Sequence, residues 1–269
     1  MKTAPNPMHT ASLGSSLGEI LHLARASSRV LVLLDFDGTL SPIQDEPDAA
    51  IVPQHARNRL RRLAEDPRVT VGIVSGRCVN DLEERVGLEG IVYAGNHGIE
   101  IHGCGLHFVE PFAFLLEPVL KKLLAELTVR AGAIPNLRIE DKRFTASMNL
   151  RGVRPESRMR ASEILLSLAD ESSQFLCRPA KDAFDIVPRN GWHKGRAVRW
   201  IRHELGLDEA FVIFAGDDVS DEDAFASLTG AITIKVGDLP TAASHFAHSP
   251  SEIWELLAQL ETALVSAPG

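Results

Sequence analysis

The segment Arg29-Val30-Leu31-Val32-Leu33-Leu34-Asp35 constrains the fold of this chain more than any other. Five aliphatic residues in a row, with no polar alternation, predict a strand buried on both faces, as in a parallel sheet covered by helices. Such a strand belongs in the middle of a layered α/β domain. Similar runs occur at 69–74 and 211–216. Helices are expected over 55–66 and 79–87 and a strand over 91–95, so the chain up to Gly95 reads β-α-β-α-β. Ahead of it, a loose tail to about residue 14 and a short helix capped by Ser15 or Ser16 are expected.

The rhythm changes after Gly95. Glycines at 95, 98, 103 and 105 predict extended pieces joined by turns. A helix follows over 113–131, with Pro118 as a kink or break. Strands are expected at 136–141, 143–150, 174–180 and 183–188, and a helix at 155–172. Residues 104–188 therefore read as an inserted α+β module with its sheet covered on one side. Gly103, Gly105 and Gly191, with Pro188, are the expected hinges. The α/β alternation resumes with helices at 193–206 and 220–228, strands at 211–216 and 231–237, and an amphipathic helix at 251–264.

The chain has 28 Lys and Arg against 36 Asp and Glu, a formal net charge of −8. That balance argues against nucleic acid or an anionic membrane as partner. Cys78, Cys104 and Cys177 are odd in number and form no CxxC pair, which argues against a disulfide framework or a thiolate zinc site. No apolar run approaches the length of a bilayer span, and the N-terminus lacks a signal-peptide core. The expected location is the cytoplasm.

Four short motifs carry chemistry. Asp35-Phe36-Asp37-Gly38-Thr39-Leu40 follows the first aliphatic run directly. Two carboxylates at a strand end can converge on one small volume, and Gly38 permits a sharp turn there. An Asp-Gly turn alone would mean only a cap. The second motif is Gly216-Asp217-Asp218-Val219-Ser220-Asp221-Glu222-Asp223. Its acids repel one another unless a hard cation sits among them, and Mg2+ suits grouped oxygens. Ser220 is the expected N-cap, with Glu222 and Asp223 serving the helix dipole. The third is Ser75-Gly76-Arg77 behind a strand, a small anion site. The fourth is Lys194, opening a helix. Strand carboxyl ends in a parallel sheet share one edge, so all four motifs can meet.

In that order the motifs resemble the haloacid dehalogenase superfamily of phosphatases. Leu33–Ile43, the SGR triplet, GNHGIE, Glu140-Asp141-Lys142, the KG of Lys194-Gly195 and GDDVSDEDAF resemble most the trehalose-6-phosphate phosphatase family. Asn149-Leu150-Arg151 stands where that family usually has His-Tyr-Arg, and Asp185-Ile186-Val187-Pro188 where it has Glu-Val/Ile-Arg-Pro. The resemblance implies a Rossmann-like parallel-sheet core, 29–103 and 189–269, an inserted α+β cap domain at 104–188, and an N-terminal extension at 1–28.

The resemblance also implies roles. Asp35 would be the nucleophile and Asp37 the general acid and base, activated by the surrounding carboxylates. Ser75, Gly76, Arg77 and Lys194 would bind the phosphate. Mg2+ would be held by Asp35, Asp37 (through its carbonyl) and Asp217, with Asp218 and Asp221 outside. His97, Glu100, Lys142, Asn149, Arg151, Lys181 and Asp185 are the candidates for a sugar. The expected partner is a small phosphorylated sugar, trehalose 6-phosphate, bound by a monomer or weak dimer. A related glycoside phosphate such as glucosylglycerol phosphate, a sugar phosphomutase reaction, and a non-catalytic metal-binding module are the alternatives.

Overall fold

The computed structural model describes residues 10–44, 49–180 and 182–265. In it the aliphatic run is a strand with every residue buried. Val30, Val32 and Leu34 join one core cluster, while Leu31 and Leu33 are buried on the other face. Each such side chain contributes roughly 1.5–3 kcal/mol by leaving water.

The chain divides into one compact unit made of the residues through His107 and from His193 onward, and a second made of Phe108–Trp192. The first unit begins with β1 (Ala11–Ser12), α1 (Leu13–Ala26) and β2 (Val30–Leu34). It continues through α2 (Gln54–Glu65), β3 (Val69–Val74), α3 (Val79–Val86), β4 (Val92–Gly95) and β5 (Glu100–Gly103), and β6 (Leu106–Val109) runs across the boundary between His107 and Phe108. The second unit holds α4 (Pro111–Ala131), β7 (Arg138–Asp141), β8 (Ala146–Asn149), α5 (Pro155–Ser172), β9 (Phe175–Ala180) and β10 (Ala183–Pro188). The chain returns to the first with α6 (Lys194–Glu204), β11 (Phe211–Gly216), α7 (Val219–Ser227), β12 (Ile232–Val236), β13 (His245–Ala247) and α8 (Pro250–Leu264).

The large sheet has the order β1-β13-β12-β11-β2-β3-β4-β5-β6. Pairing is parallel from β1 to β4 and antiparallel between β4 and β5. The strand β2 is therefore central, as its unbroken apolar run requires. The α3 helix stops at Gly87, which takes a left-handed conformation (φ 59°) that costs glycine no steric clash.

Two expectations about the N-terminal segment are corrected. Ala11 and Ser12 pair with β13 rather than trailing as tail, and Ser12, not Ser15 or Ser16, precedes the helix. Leu13, Ile20 and Ala24 lie in the main core, so apolar burial fixes where α1 starts. Residues 1–9 of the expected tail lie outside the described residues.

In the second unit the small sheet is antiparallel, order β7-β8-β10-β9. Phe144, Ala146, Met148 and Leu150 are all buried, as their alternation predicts. The α4 helix runs unbroken through Pro118. Leu116, Leu120, Leu123 and Leu127, facing the small sheet's core, outweigh the single lost backbone hydrogen bond. The two ends of this unit are tied together. Phe108 stacks on Trp192 with ring centres 5.5 Å apart. The Glu110 carboxylate accepts hydrogen bonds from the Ala113 N–H (2.7 Å) and from the Asn190 amide (2.8 Å).

Candidate active site

The Asp35 N–H donates to the Ala215 carbonyl (2.8 Å), so β-pairing continues one residue past β2. This fixes the Asp35 carboxylate at the carboxyl edge of the sheet, where parallel α/β sheets bind ligands. Buried Phe36 anchors the turn between the two aspartates. Gly38 then turns the chain with φ +76°, and its N–H donates to the Ser41 carbonyl (2.8 Å). A side chain at Gly38 would overlap the carboxylate of Asp217. Glycine is required there twice over, by backbone angle and by space.

Lys194, at the start of α6, is almost wholly buried and its Nζ donates to Asp35 Oδ1 and Asp221 Oδ1, both at 2.8 Å. Burial disfavours the ammonium, but Asp221 and Asp35 outweigh it and hold the Lys194 pKa above its ordinary value. Asp35, Asp217 and Asp221 each offer an oxygen within 4.8 Å of the others. Burial first, opposed by Lys194 and reinforced by Asp221 and Asp217, pushes the Asp35 carboxyl well up. Burial and Asp221 likewise push Asp217 up to about 7. One ammonium does not balance three gathered carboxylates. An all-oxygen donor set with surplus negative charge fits a hard divalent cation.

Asp218 is not in this group. It is the residue before α7, and its N–H donates to Asp221 Oδ2 (3.0 Å). The expected cap at Ser220 is thus corrected to Asp218: Asp221 turns back on the chain before it, one half of a capping box. Thr39 Oγ1 donates to Asp217 Oδ1 at 3.4 Å.

Ser75 is buried past the end of β3, its N–H donating to the Ala94 carbonyl (2.9 Å). Its hydroxyl accepts from the Arg77 N–H (3.2 Å), and its carbonyl from the His97 N–H (2.8 Å). Gly76 packs so close to His97 that a Cβ would lie 2.8 Å from the ring Cε1. Asn96 and His97 both have positive φ (52° and 59°), strained for non-glycine residues, and both are buried. Glu100, in β5, is also buried, with His102 Nε2 at 3.9 Å.

Arg77 grips Asp37 with both ends of its guanidinium, Nε to Oδ2 at 2.6 Å and Nη2 to Oδ1 at 2.8 Å, and reaches Asp81 at 2.8 Å. Burial opposes the Arg77 charge, but Asp37 and Asp81 more than offset that and raise its pKa. The carboxylate crowding expected around Asp37 falls on Asp35 and Asp217 instead. Asp37 faces the guanidinium.

In the second unit Lys142 Nζ donates to Ser147 Oγ (2.7 Å), and Ser147 donates its single proton to Asp185 Oδ1 (2.7 Å). Glu140, Ser147, Asp185 and Arg178 stand opposite one another across the strands, forming a polar row. Asn149 accepts through its side-chain oxygen from the Arg151 N–H (2.8 Å). Lys181 lies outside the described residues. Ser147 and Arg178 were not singled out in the sequence. The polar alternation Ser147, Asn149 against buried Ala146, Met148 was the available signal. Lys235 was also missed: its Nζ donates to the Asp217 carbonyl.

An open, mostly parallel sheet bearing DxDGT, a buried lysine and a second acidic loop at its carboxyl edge is the arrangement of the haloacid dehalogenase class of α/β phosphatases. Residues 33–257 match the trehalose-phosphatase family model. The chain belongs to the trehalose-phosphatase family. It is 32% identical over 265 residues to a trehalose 6-phosphate phosphatase of Zea mays, covering 90% of this chain and 72% of that protein. It is 36% identical over 248 residues to a trehalose-phosphate phosphatase of Mycobacterium marinum, covering 88% of this chain. The chain spans only 62% of that relative's length. The solved C-terminal domain of C. albicans trehalose-6-phosphate phosphatase shares the fold, with a TM-score of 0.82 at 23% identity, covering 95% of this chain and 99% of that one.

Proposed function

We propose that this chain hydrolyses trehalose 6-phosphate to trehalose and inorganic phosphate, with Mg2+ as cofactor and Asp35 as nucleophile. The observation that carries the reading is the buried Lys194 bridging Asp35 and Asp221 beside Asp217. An Asp35 oxygen attacks phosphorus, the bond from phosphorus to the sugar oxygen breaks, and Asp37 gives that oxygen a proton. Asp37 then takes a proton from the water that attacks the aspartyl-phosphate, releasing phosphate and restoring Asp35. Arg77 grips both Asp37 oxygens as a carboxylate, which orients it to take the proton of the attacking water; one prong of that contact has to open for Asp37 to carry the proton it gives the sugar oxygen. Ser75 and the N–H groups around Gly76 hold phosphoryl oxygens. Mg2+, held by Asp35, Asp217 and Asp221, would neutralise charge on nucleophile and phosphate alike. Lys194 keeps Asp35 oriented and adds positive charge where the phosphate must approach.

The sugar hydroxyls are assigned to the polar strand face bearing Lys142, Ser147, Asp185 and Asn149, which offers paired donors and acceptors. His97, Glu100 and Arg151 complete the candidate set, and we read residues 104–188 as the cap. Among the described residues no helix is long and apolar enough to cross a membrane.

The test is phosphate release from a panel of sugar phosphates, with and without Mg2+. Wild type should prefer trehalose 6-phosphate, and Asp35→Asn should lose at least about 10^3-fold in turnover with an unchanged circular dichroism spectrum. Retained turnover removes Asp35 as nucleophile. Preference for another glycoside phosphate, or isomerisation without net phosphate release, replaces the substrate or the reaction.

A further inference from the structure

We propose that Lys235 is a positioning residue of the metal-holding carboxylates, acting through the backbone of Asp217. The inference rests on the metal reading above and extends it to a residue of β12 that no motif contains. Lys235 stands opposite Gly216 in the parallel pairing of β11 and β12, one residue ahead of Asp217. Its side chain is buried, and its Nζ donates to the Asp217 carbonyl. Glu222 Oε1 lies 4.0 Å from the same ammonium. The Glu222 carboxylate is itself anchored: it accepts from Thr241 Oγ1 and from the Ala242 N–H, both at 2.8 Å. Glu222 thus does more than serve the α7 dipole. It joins the ammonium to the chain between β12 and β13.

The physical case is one of constraint. A long lysine side chain loses about 2 kcal/mol of rotamer freedom when fixed, and its charge resists burial. Holding it inside the sheet edge needs compensating contacts, and among the described residues the Asp217 carbonyl and Glu222 supply them. Asp217 is therefore held on two sides. Its carboxylate fills the space Gly38 leaves open, and its carbonyl is pinned by Lys235. The carboxylate then keeps its direction toward Asp35 and Asp221 even while the three repel one another.

Positioning and plain electrostatics make opposite predictions. If Lys235 merely adds positive charge near the site, removing it strengthens binding of a dication. If it positions Asp217, removing it weakens binding, and partners that orient metal ligands are typically worth about 10–100-fold in metal affinity. The experiment is calorimetric titration of the metal-free full chain with Mg2+ for wild type, Lys235→Met and Lys235→Gln, beside thermal melts of each. We expect Lys235→Met to bind Mg2+ about 10-fold more weakly than wild type. Lys235→Gln, which keeps a donor but no charge, should fall between the two. In turnover, the Lys235→Met defect should shrink as Mg2+ is raised, while KM for the sugar phosphate stays the same. Unchanged or tighter Mg2+ binding in Lys235→Met overturns the proposal and leaves the metal reading intact. Wild type that binds no Mg2+ overturns both. Should Lys235→Met fail to fold, Lys235→Gln decides alone: weaker binding supports positioning, and equal or tighter binding overturns it.

Discussion

Gly38 is the residue on which the geometry of the site turns. It holds φ at +76°, and its hydrogen occupies the place where any side chain would overlap Asp217. Gly38→Ala should keep the fold yet displace Asp217 or the turn, and misplacements of this size cost about 100-fold in rate. Phosphate release and Mg2+ titration would measure it. Ser147 sets the corresponding test in the second unit. Without its hydroxyl, Lys142 and Asp185 lose their common partner. A hydrogen bond to a charged group is worth about 1.5–3 kcal/mol, so Ser147→Ala should raise KM for trehalose 6-phosphate about 10-fold. Hydrolysis of p-nitrophenyl phosphate, which has no sugar, should be unchanged. The acids of the first unit were legible in the sequence because they follow buried strands in short, unusual strings. Ser147 and Lys235 were not, because a serine or lysine inside a strand looks the same whether it faces water or a carboxylate. The partner of Arg77 was equally hidden, since Asp37 lies forty positions away along the chain.

At the scale of elements, the helix pair α2 and α8 shows how acid sensitivity enters. Glu261 on α8 is buried and accepts from Arg59 (2.5 Å) and Arg62 (2.7 Å) on α2. Burial alone would raise the Glu261 carboxyl, but the hydrogen bonds of Arg62 and Arg59 outweigh it and hold the pKa below 4.5. The unfolded carboxylate binds a proton more readily, so this clasp contributes fully above about pH 4.5 and fades as the pH drops through the lower folded value. Glu261→Gln should therefore cost about 1–3 kcal/mol at pH 7, the gain being limited because both arginines are partly exposed. The difference from wild type should shrink as urea melts are repeated toward pH 3. Element positions themselves followed closely from pattern: the 155–172 helix and the strands at 69–74, 183–188 and 211–216 begin and end where the sequence suggests. Departures came where tertiary contacts decide. Pro118 sits inside α4 because the leucines around it pack, and α7 starts at Val219 after Asp218, since Asp221 reaches back to cap it.

Across the whole molecule, charge is unevenly shared. Residues 108–192 carry 13 Lys and Arg against 11 Asp and Glu, a net +2; the remainder carries 15 against 25, a net −10. The acidic excess thus belongs to the unit that holds Asp35, Asp217 and Asp221. A dication bound only by the folded state should stabilise the chain by about 2.7 kcal/mol at a hundred times its dissociation constant. Calorimetric melting should register that as a rise of roughly 5–10 °C in Tm. Asp217→Asn should lose most of the rise, and Ca2+ or Mg2+ at matched ionic strength separates specific binding from screening. The net charge of −8 was legible from composition, but its concentration in one unit depended on knowing where the insertion begins and ends.

The tie between Phe108 and Trp192, reinforced by Glu110 and Asn190, brings the two ends of the inserted segment to one spot. From the viewpoint of the surrounding sheet, an insertion whose ends meet is a surface loop, whatever lies between them. Loop-closure entropy grows only as the logarithm of loop length, so lengthening, trimming or exchanging that segment asks little of the sheet. Ancestral genes could have acquired or traded the segment without rebuilding the acidic edge. A protein engineer could graft a foreign insert across His107 and His193, leaving the acidic edge of the sheet as it stands.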